Sequence, residues 1–209
     1  GDAGGRITRE KYPELAQKRI VLTSDGVQVQ EVDWGFPAFE EPKSAELFHE
    51  IVYEAYNAHV GEYFGTVIRG FFSDEPCFGN ERMHQTAHLG NMKTIPWRDD
   101  LPALMAQKTG MTPQAVTGLL PALFHTVEDV TASVRHAYMD TVTELYRDNF
   151  SNMLGDWCRE KGVMYIGHII EDGGAHLALG HSSGHYFRAL EGQDMAGIDI
   201  VLNQMIPGI

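Results

Sequence analysis

The chain has 209 residues, 43% of them hydrophobic, and a formal net charge of -13. That length holds one sizeable core, so residues 1–209 read as a single α/β domain. The charge argues against a nucleic-acid backbone as partner and against anionic membranes, and no apolar run approaches the roughly 18 residues of a membrane span.

The opening Gly1-Asp2-Ala3-Gly4-Gly5 has no signal-peptide character. It reads as an internal segment or an artificial boundary, which leaves the compartment open; a secreted or periplasmic site is compatible. Lys18 to Val32 alternates apolar and polar residues around Ser24-Asp25-Gly26. An Asp-Gly turn between alternating runs is a β-hairpin signal, so residues 18–33 read as a hairpin insertion. Trp34 to Pro42 is a loop rich in aromatics and proline. Ser44 to Tyr63 carries Leu47, Phe48, Ile51, Val52, Ala55 and Tyr56 at helical spacing, with Ser44 as the N-cap.

Thr66 to Phe72 then runs straight into Ser73-Asp74-Glu75-Pro76. A short apolar run is how a buried strand looks, and Pro76 cannot donate to a ladder, so the strand stops there. Phe78 to Pro96 reads as irregular, and its His84 and His88 as solvated. Asp99-Asp100-Leu101-Pro102 starts a helix that Gly110 ends, and Thr112-Pro113 starts another. Val127 to Lys161 is a long helical pattern. Val163 to Ile170 is a second apolar strand, ending in Glu171-Asp172-Gly173-Gly174. A Gly/His-rich loop, a short helix at Tyr186 to Leu190 and a last apolar stretch, Ile198 to Leu202, complete the chain.

This order fits βαβ units with parallel strands. About three barrel-type strands plus a hairpin are visible, whereas a full (β/α)8 barrel typically takes ~250 residues. The expectation is therefore a (β/α)8 TIM-barrel type of fold in partial or truncated form. In such proteins the carboxyl ends of the strands carry the chemistry.

Two strands delivering an Asp/Glu pair to that edge suggest a paired-carboxylate enzyme. Glycosidic hydrolysis needs one carboxyl group to protonate the leaving oxygen and another to activate water or attack directly. Glu75 is the better acid, because it follows an aromatic strand and the adjacent Asp74 charge favours its protonated form. Glu171 is the base. Asp74 and Asp172 are candidates for binding substrate hydroxyls, and His168 for hydrogen bonding to a hydroxyl or to Glu171. A lone Asp-Glu-Pro is more often a helix cap or a partner of a surface arginine; the repetition at two strand ends is what raises the catalytic reading. Trp34 and Trp97, with Phe36 and Phe39, fall in expected loops where sugar rings could stack, although each could equally fill space between loop and core. Tyr186 joins the candidates for substrate contact.

His168, His176, His181 and His185 allow a metal-dependent hydrolase as an alternative. His181 and His185 have helical ligand spacing, but Ser182-Ser183-Gly184 between them is poor helix, and no metal ligand set is assigned. A non-catalytic carbohydrate-binding fragment is the third reading. The two cysteines make no disulfide framework. Cys158 reads as a packed helical residue, and Cys77 lies near the acids, which disfavour a reactive thiolate.

Several blocks resemble large bacterial glycoside hydrolases related to the α-L-rhamnosidases. They are Gly70 to Pro76, Ile95-Pro96-Trp97-Arg98-Asp99-Asp100-Leu101-Pro102, Leu119 to Phe124, Asn149-Phe150 with Gly155-Asp156-Trp157-Cys158, and Gly167 to Asp172. The opening Gly1 to Arg6 is similar to a loop after an earlier barrel strand in those proteins. The resemblance implies a catalytic (β/α)8 domain with accessory β-domains acting on a carbohydrate. It implies an acid and base glutamate pair, here Glu75 and Glu171, and allows calcium near the sugar without naming its ligands. The chain is far shorter than those proteins, so missing accessory β-domains or self-association through uncovered edges is expected.

Overall fold

The computed structural model describes residues 12–13, 17–32, 37–78, 89, 94–170 and 183–200. The hairpin forms as its turn chemistry dictates. Strand β1 (Gln17–Thr23) pairs antiparallel with β2 (Gly26–Val32), and Gly26 takes the positive φ of 110° that the turn needs.

Helix α1 (Pro42–His49) passes through a π-helical stretch, Glu50–Glu54, into α2 (Ala55–Val60). Its start differs from the expected Ser44 cap. Pro42 occupies the first turn, and buried Ser44 instead accepts the Ala38 backbone N–H at 3.0 Å. Strand β3 (Gly70–Asp74) follows, and then β4 (Thr94–Trp97). Helix α3 (Leu101–Thr109) ends at Gly110, whose φ of 70° closes the helix. Helix α4 (Pro113–Leu119) starts as its sequence specifies, with the Thr112 side chain accepting the Ala115 N–H at 3.2 Å.

The long helical pattern is helix α5 (Thr131–Tyr146), a π-helical stretch Arg147–Asn152, and α6 (Met153–Glu160). Widened turns keep Tyr146, Phe150 and Leu154, spaced by four, on one buried face. Strand β5 (Met164–His168), helix α7 (Tyr186–Ala189) and the two-residue strand β6 (Met195–Ala196) complete the described elements.

The strands form two separate sheets, an antiparallel one ordered β2-β1-β4 and a parallel one ordered β3-β5-β6. This overturns the expectation of a (β/α)8 barrel, even a partial one built from parallel strands alone. Among the described residues no barrel closes, and the fold is mixed α/β. Two local facts explain the difference. Thr94–Trp97, expected to end a loop, is a strand whose Ile95 and Trp97 are buried. It adds to the hairpin as an edge strand, where a proline such as Pro96 is tolerated. The last parallel strand also lies at Met195–Ala196, ahead of the apolar residues Ile198 and Ile200, which are exposed.

One face of the parallel sheet packs on aromatic side chains of the core. Phe71 meets Tyr53, Phe64 and Trp157 edge-on at 5.5 Å each, and Tyr165 beneath is fully buried. Each such buried aromatic contributes on the order of 1.5–3 kcal/mol. The opposite face carries Phe72 and Asp74 on β3, with Met164, Ile166 and His168 as their row on β5.

Candidate functional site

The site is argued from the end of β3. Strands β3 and β5 are parallel neighbours in the register Ser73 to Gly167 and Asp74 to His168. The chain therefore leaves both strands at one edge of the sheet. The strands approach so closely there that only glycine fits opposite Ser73. A Cβ on Gly167 would lie 2.9 Å from the Ser73 nitrogen and closer still to its carbonyl oxygen.

Asp74 and His168 meet at this edge, with Nε2 3.0 Å from Oδ1. The His168 side chain is 8% exposed and that of Asp74 78%. A pair half in water adds little stability, but it does orient the imidazole. The Phe72 ring lies 5.8 Å from the His168 ring on the same face. Asp74 is thus one partner of His168, while Glu171, the partner expected within the chain, lies outside the described residues.

Glu75 follows, half-buried, with φ of 50°. Left-handed backbone is unfavourable for a residue with a Cβ, and a residue before proline is pushed toward extended conformations. Holding Glu75 there costs roughly 1–3 kcal/mol. The following three residues are all buried, Cys77 and Phe78 among them. The Pro76 carbonyl accepts from the Tyr146 hydroxyl at 3.4 Å, and the Phe78 carbonyl from Arg19 Nη1 at 2.9 Å.

Of the other candidates, Trp97 stands on β4 in the antiparallel sheet. It is 7% exposed, and its Nε1 donates to Asp99 Oδ1 at 3.3 Å. Tyr186 opens α7, half-buried against the core, with its ring 5.4 Å from Phe187. His185 precedes that helix and accepts the Arg188 N–H at 3.4 Å. Phe39 is buried against Phe150 and Tyr146. Cys158 is buried, and burial pushes its thiol up to about 12, as a packed small residue requires. Trp34, Phe36, His84, His88, Glu171, Asp172, His176 and His181 lie outside the described residues. Among the described residues no group of three or more His, Cys, Asp or Glu is placed to hold a metal ion; His176 and His181 of the histidine-bound alternative lie outside them.

The sequence reading missed a buried polar cluster behind the Glu75 loop. Arg19, fully buried on β1, donates from Nε to Thr94 Oγ1 at 3.1 Å as well as to Phe78. Glu40, 2% exposed, lies near it. Burial pushes the Glu40 carboxyl up to about 7, against the pull of Arg19. The Glu40 carbonyl accepts from Arg98 at 3.2 Å and from Asn149 at 3.1 Å. Tyr138 donates to the Pro96 carbonyl at 2.7 Å. The available signal was a set of charged and phenolic residues at buried phases of β1 and α5.

No family model matches the sequence, and no curated protein matches it. Among solved structures, the chain is similar to a rhamnosidase from Novosphingobium sp. PP1Y, with a TM-score of 0.50 and 14% identity over 86% of this chain. The chain spans 15% of that rhamnosidase's length. At this identity the likeness is one of fold, and it reaches a glycoside hydrolase only at that distant level.

Proposed function

We propose that this chain carries part of the catalytic machinery of a glycoside hydrolase that cleaves an O-glycosidic bond, with Glu75 as general acid and Glu171 as base. The observation that carries the reading is the Glu75 backbone, held left-handed at the carboxyl edge of a parallel sheet beside an Asp74–His168 pair. Strain of this kind persists where the surroundings over-determine it, and it gathers at active sites. The fold likeness to a rhamnosidase supports a rhamnoside as the sugar class.

In this reading the substrate is a carbohydrate at the carboxyl edge of the sheet, beside Asp74 and His168. Asp74 and His168 would share a sugar hydroxyl, with Asp172 and Tyr186 as further contacts. Glu75 gives its proton to the leaving oxygen while Glu171 draws a proton from the attacking water. A carboxyl separation of roughly 6.5–9.5 Å in a substrate complex implies inversion, and about 5–5.5 Å implies retention.

The test is turnover of aryl rhamnosides with poor phenol leaving groups by Glu75→Gln and Glu171→Gln. Each variant should lose roughly 10²–10⁴-fold in kcat while keeping its far-UV circular dichroism. Full activity in either one removes that residue from the chemistry. Sugar binding by the unaltered protein without any hydrolysis would instead identify a carbohydrate-binding module.

A further inference from the structure

We propose that Tyr146 and Arg19 are positioning residues for Glu75: together they clamp the loop after β3 and fix the direction in which the Glu75 carboxyl leaves the chain. The proposal rests on the reading of Glu75 as general acid and adds to it a task for the antiparallel sheet and for α5.

The geometry is specific. From Glu75 the chain runs through Pro76, Cys77 and Phe78, and two of those three carbonyls are held by side chains remote in sequence. Tyr146, at the last position of α5, donates its hydroxyl to the Pro76 carbonyl at 3.4 Å. Arg19, from β1, donates Nη1 to the Phe78 carbonyl at 2.9 Å. Neither anchor is free to turn. Tyr146 is fully buried between the rings of Phe39 and Phe78, at 5.8 and 5.5 Å. Arg19 is fully buried, and its Nε is spent on Thr94. Burial raises the Tyr146 phenol well above its ordinary range, so the hydroxyl keeps the proton it donates.

On the other side of Glu75, β3 is locked to β5 through the Asp74 to His168 register. A residue at φ of 50° between a fixed strand and a fixed loop has nowhere to relax. Without the clamp, the loop can shift until Glu75 returns to an extended conformation, which a residue before proline prefers. The carboxyl would then move by about the length of its own side chain. Misplacement by 1 Å can cost 10²-fold in rate.

General acid assistance matters only when the leaving group is poor, which gives a readout that loss of stability does not imitate. The experiment measures kcat and KM of the full chain on two aryl glycosides of one sugar, with a poor phenol leaving group and an activated dinitrophenol one. Glu75→Gln should lose far more on the poor leaving group than on the activated one. Tyr146→Phe keeps the ring and removes one hydroxyl. It should lower kcat roughly tenfold on the poor leaving group, leave KM within about twofold, and nearly match the unaltered enzyme on the activated substrate. Arg19→Lys should do the same, and either variant placed in Glu75→Gln should cost nothing more. Equal losses on both substrates in Tyr146→Phe and Arg19→Lys, with Glu75→Gln still selective, would overturn the clamp alone. Absence of leaving-group dependence in Glu75→Gln itself would overturn the reading beneath it.

Discussion

Among the described residues, Glu40 is a carboxyl buried to 2% exposure. Burial favours its protonated form and pushes it up to about 7, and Oε1 meets no hydrogen-bond donor among the described residues. In the unfolded chain the same group sits near its ordinary value of 4.5. The folded state therefore holds the proton more tightly than the unfolded state, and stability falls as pH rises from 4.5 through about 7. The loss is on the order of 3 kcal/mol. Glu40→Gln removes this titration. Arg19 stays charged over the whole window, so the loss of its counter-charge shifts the curve without tilting it. Urea unfolding at a series of pH values should show a falling slope in the unaltered chain and a flatter one in the variant. Identical slopes would show that Glu40 is solvated or paired.

At the scale of elements, the register of β3 against β5 decides where the acids stand. Gly167 permits that register, since any side chain there meets the Ser73 backbone. Gly167→Ala should destabilise by roughly 2–4 kcal/mol through overpacking and backbone strain. Gly118, inside α4 with open space around it, makes the contrast. Gly118→Ala should stabilise by roughly 0.5–1 kcal/mol. Comparable losses in both variants would show that the strands are not packed this closely.

The elements also divide by what a sequence can carry. The Asp25-Gly26 turn, the Thr112-Pro113 start and the Gly110 stop are local patterns, and each was legible; the two parallel strands were legible as elements, but the first starts at Gly70 rather than Thr66 and runs on through Asp74, and the second ends at His168, two residues before Ile170. Thr94–Trp97 was not, because four residues around a proline lack a period and become a strand only when β1 is beside them. Arg19 and Tyr146 were invisible for the same reason. Their partners lie 59 and 70 residues away, and no local spacing links a β1 arginine to the loop after β3. Glu75 was legible as a candidate, but its left-handed backbone was not, since the preceding-proline rule argues for the opposite.

For the whole molecule, the parallel sheet exposes large apolar side chains on the side away from its helices. Phe72 is 61%, Met164 40% and Met195 60% exposed there. Parallel sheets are ordinarily covered on both faces, so a chain of these 209 residues should self-associate in solution. Sedimentation should show species heavier than 23.3 kDa, reduced by Phe72→Ser with Met195→Ser. A lone monomer at all concentrations would mean that the face is covered by the chain itself.

The central claim is that Glu75 donates the proton. It meets its most direct test in kcat/KM across a series of aryl glycosides of one sugar whose phenol leaving groups range from poor to activated. The account predicts that Glu75→Gln falls further behind the unaltered protein as the leaving group becomes poorer. A constant ratio between the two across the series would contradict it.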